Sequence, residues 1–327
     1  MKFRTEINIP RPNFSISYKD TLFFIGSCFS NSIGKRFLTQ KFNTLINPFG
    51  VLYNPKSILK SLETIKNNAL FTEKDLFFHN DTWNSFLHHS SFSSQDKNNV
   101  LDHINSSITN ASIQLRKTNY AFITLGTAYC YTLKETQHVV SNCHKLPETN
   151  FERSLLSFQD IKESLLQTIK VLKYFNEAIV PIFTVSPIRH VRDGFIENSR
   201  SKALLLTAIH EIIQEDKTCS YFPSYEILLD DLRDYRFYNE DMIHPSEVAV
   251  NYIWSKLSET YFSAKTLKDM SRVHSLVKAS NHRPRQPHSS QHQTFIQSHL
   301  TKIKRLEDEL QIDLSEIEFK FRQQLHP

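Results

Sequence analysis

Apolar positions along this chain follow two alternating periods. Residues 21–25 form a continuous run, Thr-Leu-Phe-Phe-Ile, closed by Gly26, which predicts a strand buried on both faces. Over 31–42 the apolar residues Ile33, Phe37 and Leu38 recur at helical spacing, so the first unit reads as strand, tight turn, helix. Asn47-Pro48-Phe49-Gly50 predicts a turn, and Asn54-Pro55 opens a second helix carrying Ile58, Leu59, Leu62 and Ile65. Residues 95–117 predict an amphipathic helix, and residues 121–125 a strand ending at Gly126. Residues 158–175 predict a helix with Ile161, Leu165, Ile169 and Leu172 on one face. Residues 178–185 predict a strand, 200–214 a helix, 219–222 a short strand and 246–262 a last core helix. Strand and helix alternating from 21 to 262 predict an α/β domain with a mainly parallel sheet and helices on both faces. The turns after 25, 125, 185 and 222 then share the carboxyl edge of that sheet, where such sheets bind ligands.

The pattern changes after residue 280. Residues 281–292 (NHRPRQPHSSQH) are polar and proline-containing, which predicts a linker between a domain over 1–280 and a C-terminal segment over 293–327. That segment carries Ile296, Leu300, Ile303, Leu306, Leu310, Leu314, Ile317 and Phe321 at near-heptad spacing. The stripe predicts an amphipathic helix or helix pair, docked on the domain or used for self-association as a coiled coil.

Composition and charge narrow the class. The 327 residues are 39% hydrophobic and 22% charged, with a net charge of +5 spread along the chain, so no basic stripe points to nucleic acid. No apolar run is long enough to span a membrane, and the N-terminal Met-Lys-Phe-Arg-Thr-Glu is charged where a signal peptide needs apolar residues. The four cysteines, Cys28, Cys130, Cys143 and Cys219, show no CxxC spacing, so neither a disulfide framework nor a zinc ribbon is expected. A cytoplasmic setting follows as the expectation. Neither GxxxxGK nor GxGxxG occurs, and no cofactor or metal is expected; adjacent Cys143 and His144 lack a second ligand pair. The chain has only five glycines, Gly26, Gly34, Gly50, Gly126 and Gly194, all in or beside the candidate motifs.

Two places carry candidate chemistry. Gly26-Ser27-Cys28-Phe29 lies between a strand and a helix, where a nucleophile at the sheet edge meets a helix N-terminus that favours a thiolate. Asp241-Met242-Ile243-His244-Pro245 precedes the last core helix; an Asp three residues before a His can fix the imidazole as a general base. Nucleophile first and Asp–His last is a layout for acyl transfer. His88-His89-Ser90 follows an aromatic segment and is a candidate pocket wall, although such clusters are more often core. His190, Arg192, Asn198 and Lys202 fall after the third strand, and Arg192 or Lys202 is a candidate to hold an anionic substrate group.

These motifs carry a family resemblance. Ile25-Gly26-Ser27-Cys28-Phe29-Ser30 resembles the Ile-Gly-Asp-Ser-Leu-Thr opening of SGNH (GDSL-like) hydrolases, and Asp241-x-x-His244-Pro245 resembles their closing block. Gly26-Ser27-Cys28-Phe29 followed by Asn47-Pro48-Phe49-Gly50 and Tyr53-Asn54-Pro55 is similar to the GSCFA family. Leu125-Gly126-Thr127-Ala128, Asn142-Cys143-His144-Lys145, Ser186-Pro187, His190-x-Arg192-Asp193-Gly194 and Glu197-Asn198 extend the similarity, which covers about residues 3–262. The resemblance implies an SGNH-hydrolase-like three-layer α/β fold and an esterase or acyltransferase acting on an acylated sugar, lipid or similar ester. Aligned on Gly26, Cys28 takes the nucleophile's position and Ser27 that of the usual Asp; a one-residue shift would expose Ser27 instead. Asp241 and His244 complete the site. The resemblance assigns the oxyanion to backbone N–H groups of Cys28 and Gly50, with help near Gly126 and Thr127. Ala128 stands where the superfamily carries an Asn donor, and Asn47 or Asn54 is the candidate replacement. Asn54, His89, His190 and Arg192 are the candidate substrate contacts. The competing expectation is a catalytically inactive module of the same fold that binds a glycan or a protein partner.

Overall fold

A computed structural model describes residues 4–282, 286 and 289–325. The central sheet grows outward from its first strand. β1 (Thr21–Gly26) leads through α1 (Cys28–Thr39) to the parallel strand β2 (Asn43–Ile46). The chain then crosses to the other face with α2 (Pro55–Lys66), the hairpin β3 (Phe77–His79) and β4 (Thr82–Asn84), and α3 (Lys97–Leu115). It re-enters as β5 (Tyr120–Leu125), parallel to β1 on the side opposite β2. A separate antiparallel sheet follows: β6 (Tyr129–Leu133) lies between β7 (His138–Val140) and β8 (Phe151–Leu155). After α4 (Phe158–Phe175) come β9 (Val180–Val185), α5 (Gly194–Glu215) and β10 (Ser220–Tyr221), each strand parallel to its neighbour. A short turn α6 (Ser224–Glu226), continued by the π-helical stretch Ile227–Leu232, leads to α7 (Glu247–Tyr261). The strand order is β2-β1-β5-β9-β10.

That order places a topological switch between β1 and β5, where consecutive crossovers leave the sheet in opposite directions. Strand residues alternate between two cores. Leu22, Phe24, Phe122 and Ile182 pack with α1 and α7, whereas Phe23, Ile25, Ile123 and Phe183 pack with α2 to α5. Both faces are buried, so β1, β5 and β9 read as unbroken apolar runs. The fold is therefore the expected three-layer α/β arrangement with a mainly parallel sheet.

Several boundaries differ from the sequence expectation. α1 starts at Cys28 rather than at 31, and α5 starts at Gly194 rather than at 200. The half-polar edge strand β2, Asn-Thr-Leu-Ile, has no apolar run to announce it. The β6–β8 sheet lies over the carboxyl edge as an added wall, and α8 (Ala264–Ser280), capped by Ser263, extends the domain past the expected last core helix.

The tail is two helices, α9 (Ser290–Leu310) and α10 (Ser315–Gln323), not one. Gln311 turns the chain with a left-handed φ of 56° between them. All eight residues of the near-heptad stripe are buried, and they join the core that contains Leu22, Phe24 and α8. The seam that would serve a coiled coil between copies is thus covered by the chain itself. Each buried Leu, Ile or Phe contributes about 2 kcal/mol of gross burial energy, which holds the helix pair down. Of the expected linker over 281–292, residues 283–285, 287 and 288 lie outside the described residues, and 290–292 already belong to α9. No described helix is long and apolar enough to cross a membrane.

Candidate active site

The turn after β1 is built around Gly26. Its φ is +134°, and an added Cβ would lie 2.1 Å from the Thr124 carbonyl oxygen of β5, so only glycine lets the two strands stay paired there. Its N–H donates to Asn47 Oδ1 at 2.8 Å, and Asn47 Nδ2 donates to Asn31 Oδ1 at 2.7 Å. The Asn47-Pro48-Phe49-Gly50 turn is thereby clamped against the start of α1. Ser27 is the N-cap residue of α1, with an extended ψ of 172°, and the helix begins at Cys28.

This local geometry separates the two candidate nucleophiles. Ser27 is 0% exposed, and its hydroxyl has no hydrogen-bond partner among the described residues. Ser27 is thereby corrected from candidate nucleophile to a buried residue at the N-cap position of α1. Cys28 is partly exposed and lines a cleft of about 300 Å³ together with Ser32, Ile188, Asn239, His244 and Glu247. The helix N-terminus does not deliver a thiolate outright. Burial pushes the Cys28 thiol up, and the N–H groups of Cys28 and Phe29 and the Lys202 ammonium, which pull it down, do not cancel that effect.

Asp241 and His244 form a local pair. Asp241 Oδ1 accepts from the N–H groups of Ile243 and His244, both at 2.9 Å, and Oδ2 meets His244 Nδ1 at 2.6 Å. These two backbone donors and the imidazole hold the Asp241 carboxyl down at about 2, so it is ionised and His244 Nδ1 must be the donor to it. The Nε2 of His244 is the nitrogen left without a described partner. Met242, at φ 56°, provides the tight bend that folds Asp241 back onto His244. Both side chains are nearly half exposed, so water reaches the pair.

The expected oxyanion donors are mostly engaged elsewhere. The Gly50 N–H donates to the Asn47 carbonyl at 2.7 Å. The N–H groups of Gly126 and Thr127 both donate to the Tyr53 carbonyl, at 2.7 and 3.0 Å. Position 128 cannot supply a donor either: Ala128 is fully buried in the core, and its N–H donates to Ser201 Oγ at 2.7 Å. Gly50, Gly126 and Thr127 are therefore corrected from oxyanion donors to loop staples. Asn47 is likewise consumed by Gly26 and Asn31. The N–H groups of Cys28 and Phe29 remain directed at the thiol. The Asn239 side chain, which the sequence reading missed, opens into the same cleft without a described partner. It lies only two positions before Asp241, in a turn where Asn239 N–H donates to the His244 carbonyl at 2.8 Å.

The other candidates gather in a second cleft of about 820 Å³, lined by Tyr53, Asn54, His89, Thr127, His190 and Arg192 among others. The β6–β8 sheet and the 141–148 loop form its far wall. Ile188 to His190 and Ile243 to His244 form a shared ridge between the two clefts, joined by Arg189 N–H to the Ile243 carbonyl at 3.3 Å. Asn54 is held by accepting from Ser57 N–H at 2.9 Å as the N-cap of α2. His89 lines the cleft, but its neighbour His88 is core, stacked on Phe49 with ring centroids 4.3 Å apart. Burial pushes His190 down to about 3, so it is neutral, and its Nε2 lies 3.0 Å from where a Cβ on Gly126 would be. Arg192 lines this cleft, exposed and paired with the exposed Glu148, whereas Lys202 is buried and does not line it, which corrects the expectation for Lys202. Cys143 and His144 both reach this cleft, but no group of three or more potential metal ligands exists among the described residues.

Fold and site together define a doubly wound α/β protein with a cysteine and an Asp–His pair at the carboxyl edge of its sheet. The chain belongs to the GSCFA family, which it matches over residues 21–257; residues 273–327 match the GSCFA domain protein, C-terminal domain. No curated protein matches the chain. Among solved structures, it is similar to the crystal structure of a carbohydrate esterase family 3 from Talaromyces cellulolyticus, at 10% identity and a TM-score of 0.28, over 50% of this chain and 65% of that one.

Proposed function

We propose that this protein is an SGNH-like esterase or acyltransferase that works through a covalent thioester on Cys28. The observation that carries the reading is that Cys28 and His244 open onto one cleft, with His244 Nδ1 committed to an ionised Asp241. In this reading His244 Nε2 takes the thiol proton as Sγ attacks the carbonyl carbon of an ester. The tetrahedral oxyanion is met by the N–H groups of Cys28 and Phe29 and by Asn239. The intermediate collapses by breaking the bond to the leaving alkoxide, which receives the proton from His244 and departs as an alcohol. Water or an acceptor alcohol then attacks the thioester carbonyl as His244 takes its proton, the C–S bond breaks to release the acyl group as an acid or a new ester, and His244 returns the proton to Sγ. The raised Cys28 thiol makes this concerted removal of the proton by His244 a requirement.

The large cleft beside the ridge is the proposed seat of the rest of the substrate. Tyr53, Tyr131, Asn54 and His89 offer ring faces and polar edges suited to an acylated sugar. The engaged N–H groups of Gly50, Gly126 and Thr127 favour a second reading, a binding module of the same fold that has lost its oxyanion hole.

Turnover of a short-chain nitrophenyl ester by wild type, Cys28→Ala, Ser27→Ala and His244→Ala separates the two. The catalytic reading expects loss in the Cys28 and His244 variants and retention in Ser27→Ala. Turnover that survives Cys28→Ala would sink it. A wild type without turnover and with a Cys28 inert to thiol reagents supports the binding module.

A further inference from the structure

Arg189 is a cation of the large cleft that no carboxylate claims. It lies on the ridge after β9, where its N–H donates to the carbonyl of Ile243, the residue before His244, at 3.3 Å. The next N–H along the chain, that of His190, donates to Asn198 Oδ1 at 2.9 Å, so the backbone is pinned on both sides of the Arg189 side chain. The guanidinium carbon lies 4.2 Å from the ring centroid of Tyr238, 5.4 Å from that of Tyr235 and 5.5 Å from that of Phe195. Phe195 and Tyr235 are 59% and 65% exposed, so they are not core residues; with Tyr238 they form a cage that holds the guanidinium at the surface. Contacts with ring faces consume no N–H group. The described acceptor for the guanidinium is the Met242 carbonyl, 3.4 Å from Nη1, which is a long bond. Acids in the two clefts that Arg189 lines are taken by other cations: Glu148 by Arg192, Asp193 by Arg153, and Asp234 by Arg236 at 3.8 Å. The ionised side chains lining the large cleft are Lys145, Arg153, Arg189 and Arg192 against Glu148 and Asp193, so the charges of Lys145 and Arg189 are left over.

We propose that the large cleft takes an ester whose sugar or polyol part carries a carboxylate or a phosphate, and that Arg189 binds this anion. The inference rests on the reading of the large cleft as the seat of the substrate and adds a charge to that substrate. A guanidinium presents paired in-plane N–H groups that match two oxygens of one carboxylate or phosphate. The ring cage holds the Arg189 guanidinium in place beforehand, so little side-chain freedom is lost when an anion docks. An excess of positive charge in a cleft with protein walls also draws anions toward it. The bond from Arg189 N–H to the Ile243 carbonyl sets this cation at the ridge, so the anion docks at the end of the cleft next to His244. Arg153 and Arg192 have a different place. Each keeps its carboxylate and lies near the Tyr131 ring, at 5.4 and 5.3 Å, so the two of them build the far wall. Exposed Lys145, on the 141–148 loop of that wall, is the secondary attraction. A neutral acylated sugar would leave the Arg189 donors with water alone.

The test is calorimetric titration of the full chain at low salt with glucuronate, glucose 6-phosphate and glucose. None of the three carries an ester, so the result does not depend on turnover. Wild type should bind at least one of the two anions about tenfold more tightly than glucose, and the tighter of the two identifies the group as carboxylate or phosphate. Arg189→Gln should lose most of that preference and leave glucose binding unchanged. Arg189→Lys, which keeps the charge and gives up the planar fork, should retain part of it. Far-UV circular dichroism confirms that each variant is folded; if Arg189→Gln is not, the intermediate affinity of Arg189→Lys carries the comparison. A wild type that binds neither anion more tightly than glucose overturns the inference, as does an anion preference that a folded Arg189→Gln keeps in full. Ester turnover that survives Cys28→Ala while the anion preference still depends on Arg189 would remove the catalytic reading and leave the anion site standing.

Discussion

Acidification should strip stability from this fold through His88, and the size of the effect follows from its surroundings. The imidazole is completely buried, stacked on Phe49 and flanked by Phe71 and Phe92, each with ring centroids 5.0 Å away. Its Nδ1 meets Ser85 Oγ at 2.9 Å, and Nε2 is buried with no acceptor among the described residues for an added proton. Burial, with smaller contributions from His103 and His144, pushes His88 down to about 3. The unfolded chain takes its proton near the ordinary value of about 6.5. The folded pKa is depressed, so the contribution is fully present above about pH 6.5 and is lost as the pH falls toward the folded value. The full gap, about 3.5 units at roughly 1.4 kcal/mol each, is about 5 kcal/mol; between about pH 6 and pH 4 the share is roughly 2 to 3 kcal/mol. That is a large part of an ordinary domain's stability of about 5–15 kcal/mol. Urea unfolding of wild type and His88→Gln at a series of pH values measures it. The variant should lose absolute stability at pH 7 from imperfect packing, yet its stability should fall less steeply by about 1.4 kcal/mol per pH unit below about pH 6. His190, also near 3, leaves the variant with a residual slope. Parallel curves for the two proteins would refute the reasoning. Because His89 N–H donates to the Phe49 carbonyl at 2.9 Å and Gly50 packs on His89, loosening His88 should also disturb the edge of the large cleft.

Gly26→Ala should cost about 3 kcal/mol or more in chemical denaturation, since the residue must leave φ +134° or push the Thr124 carbonyl away; a loss below about 0.5 kcal/mol would show that the turn is soft. Phe321→Ala should cost about 3–5 kcal/mol in the same assay, because the ring is fully buried between α10 and the domain; no loss would mean that the helix pair is not docked. Asp241→Asn keeps an oxygen for the Ile243 and His244 N–H groups but removes the charge facing His244 Nδ1. It should leave the fold intact and lower ester turnover about a hundredfold or more; wild-type turnover in this variant would separate Asp241 from the chemistry. With Asp241 at about 2, the pH–rate profile should show no limb from this carboxylate over about pH 4 to 9, and a limb that vanishes in Asp241→Asn would contradict that value.

The parts of the fold that sequence reasoning reaches are those whose periodicity is set by burial on both faces. β1, β5 and β9 are apolar without interruption because each packs against helices above and below, and α4 runs from Phe158 to Phe175 as its stripe requires. β2 escapes because an edge strand with exposed Asn43 needs no apolar run, and α5 gains its first turn from Gly194-Phe195-Ile196, whose large side chains are exposed and so carry no core pattern. The tail stripe has a different lesson. A near-heptad pattern states that eight residues will be buried, but the left-handed turn at Gln311 decides whether their partner is another copy or the same chain.

The same division governs the site. Asp241-x-x-His244 is legible because its chemistry is local: three residues of spacing and one positive φ are enough to close the hydrogen bond. The choice between Ser27 and Cys28 is not local, since it depends on the Gly26 turn against Thr124, a contact across nearly a hundred residues of chain. Oxyanion donors are the least legible of all, because a backbone N–H carries no sequence signature and its availability depends on which carbonyl reaches it first. Tyr53 presents one carbonyl to both Gly126 and Thr127, and Asn47 does the same for Gly50, so residues that look like donors in the motif act as fasteners in the loop. Lys202 shows the converse. In the sequence it is a candidate to hold a substrate anion, and only the distance of its ammonium from two strand-end carbonyls shows it to be a buried tie between β5 and β9. A motif thus names the residues that a site must contain, while the hydrogen bonds already spent within the loops determine which of them are left to do chemistry.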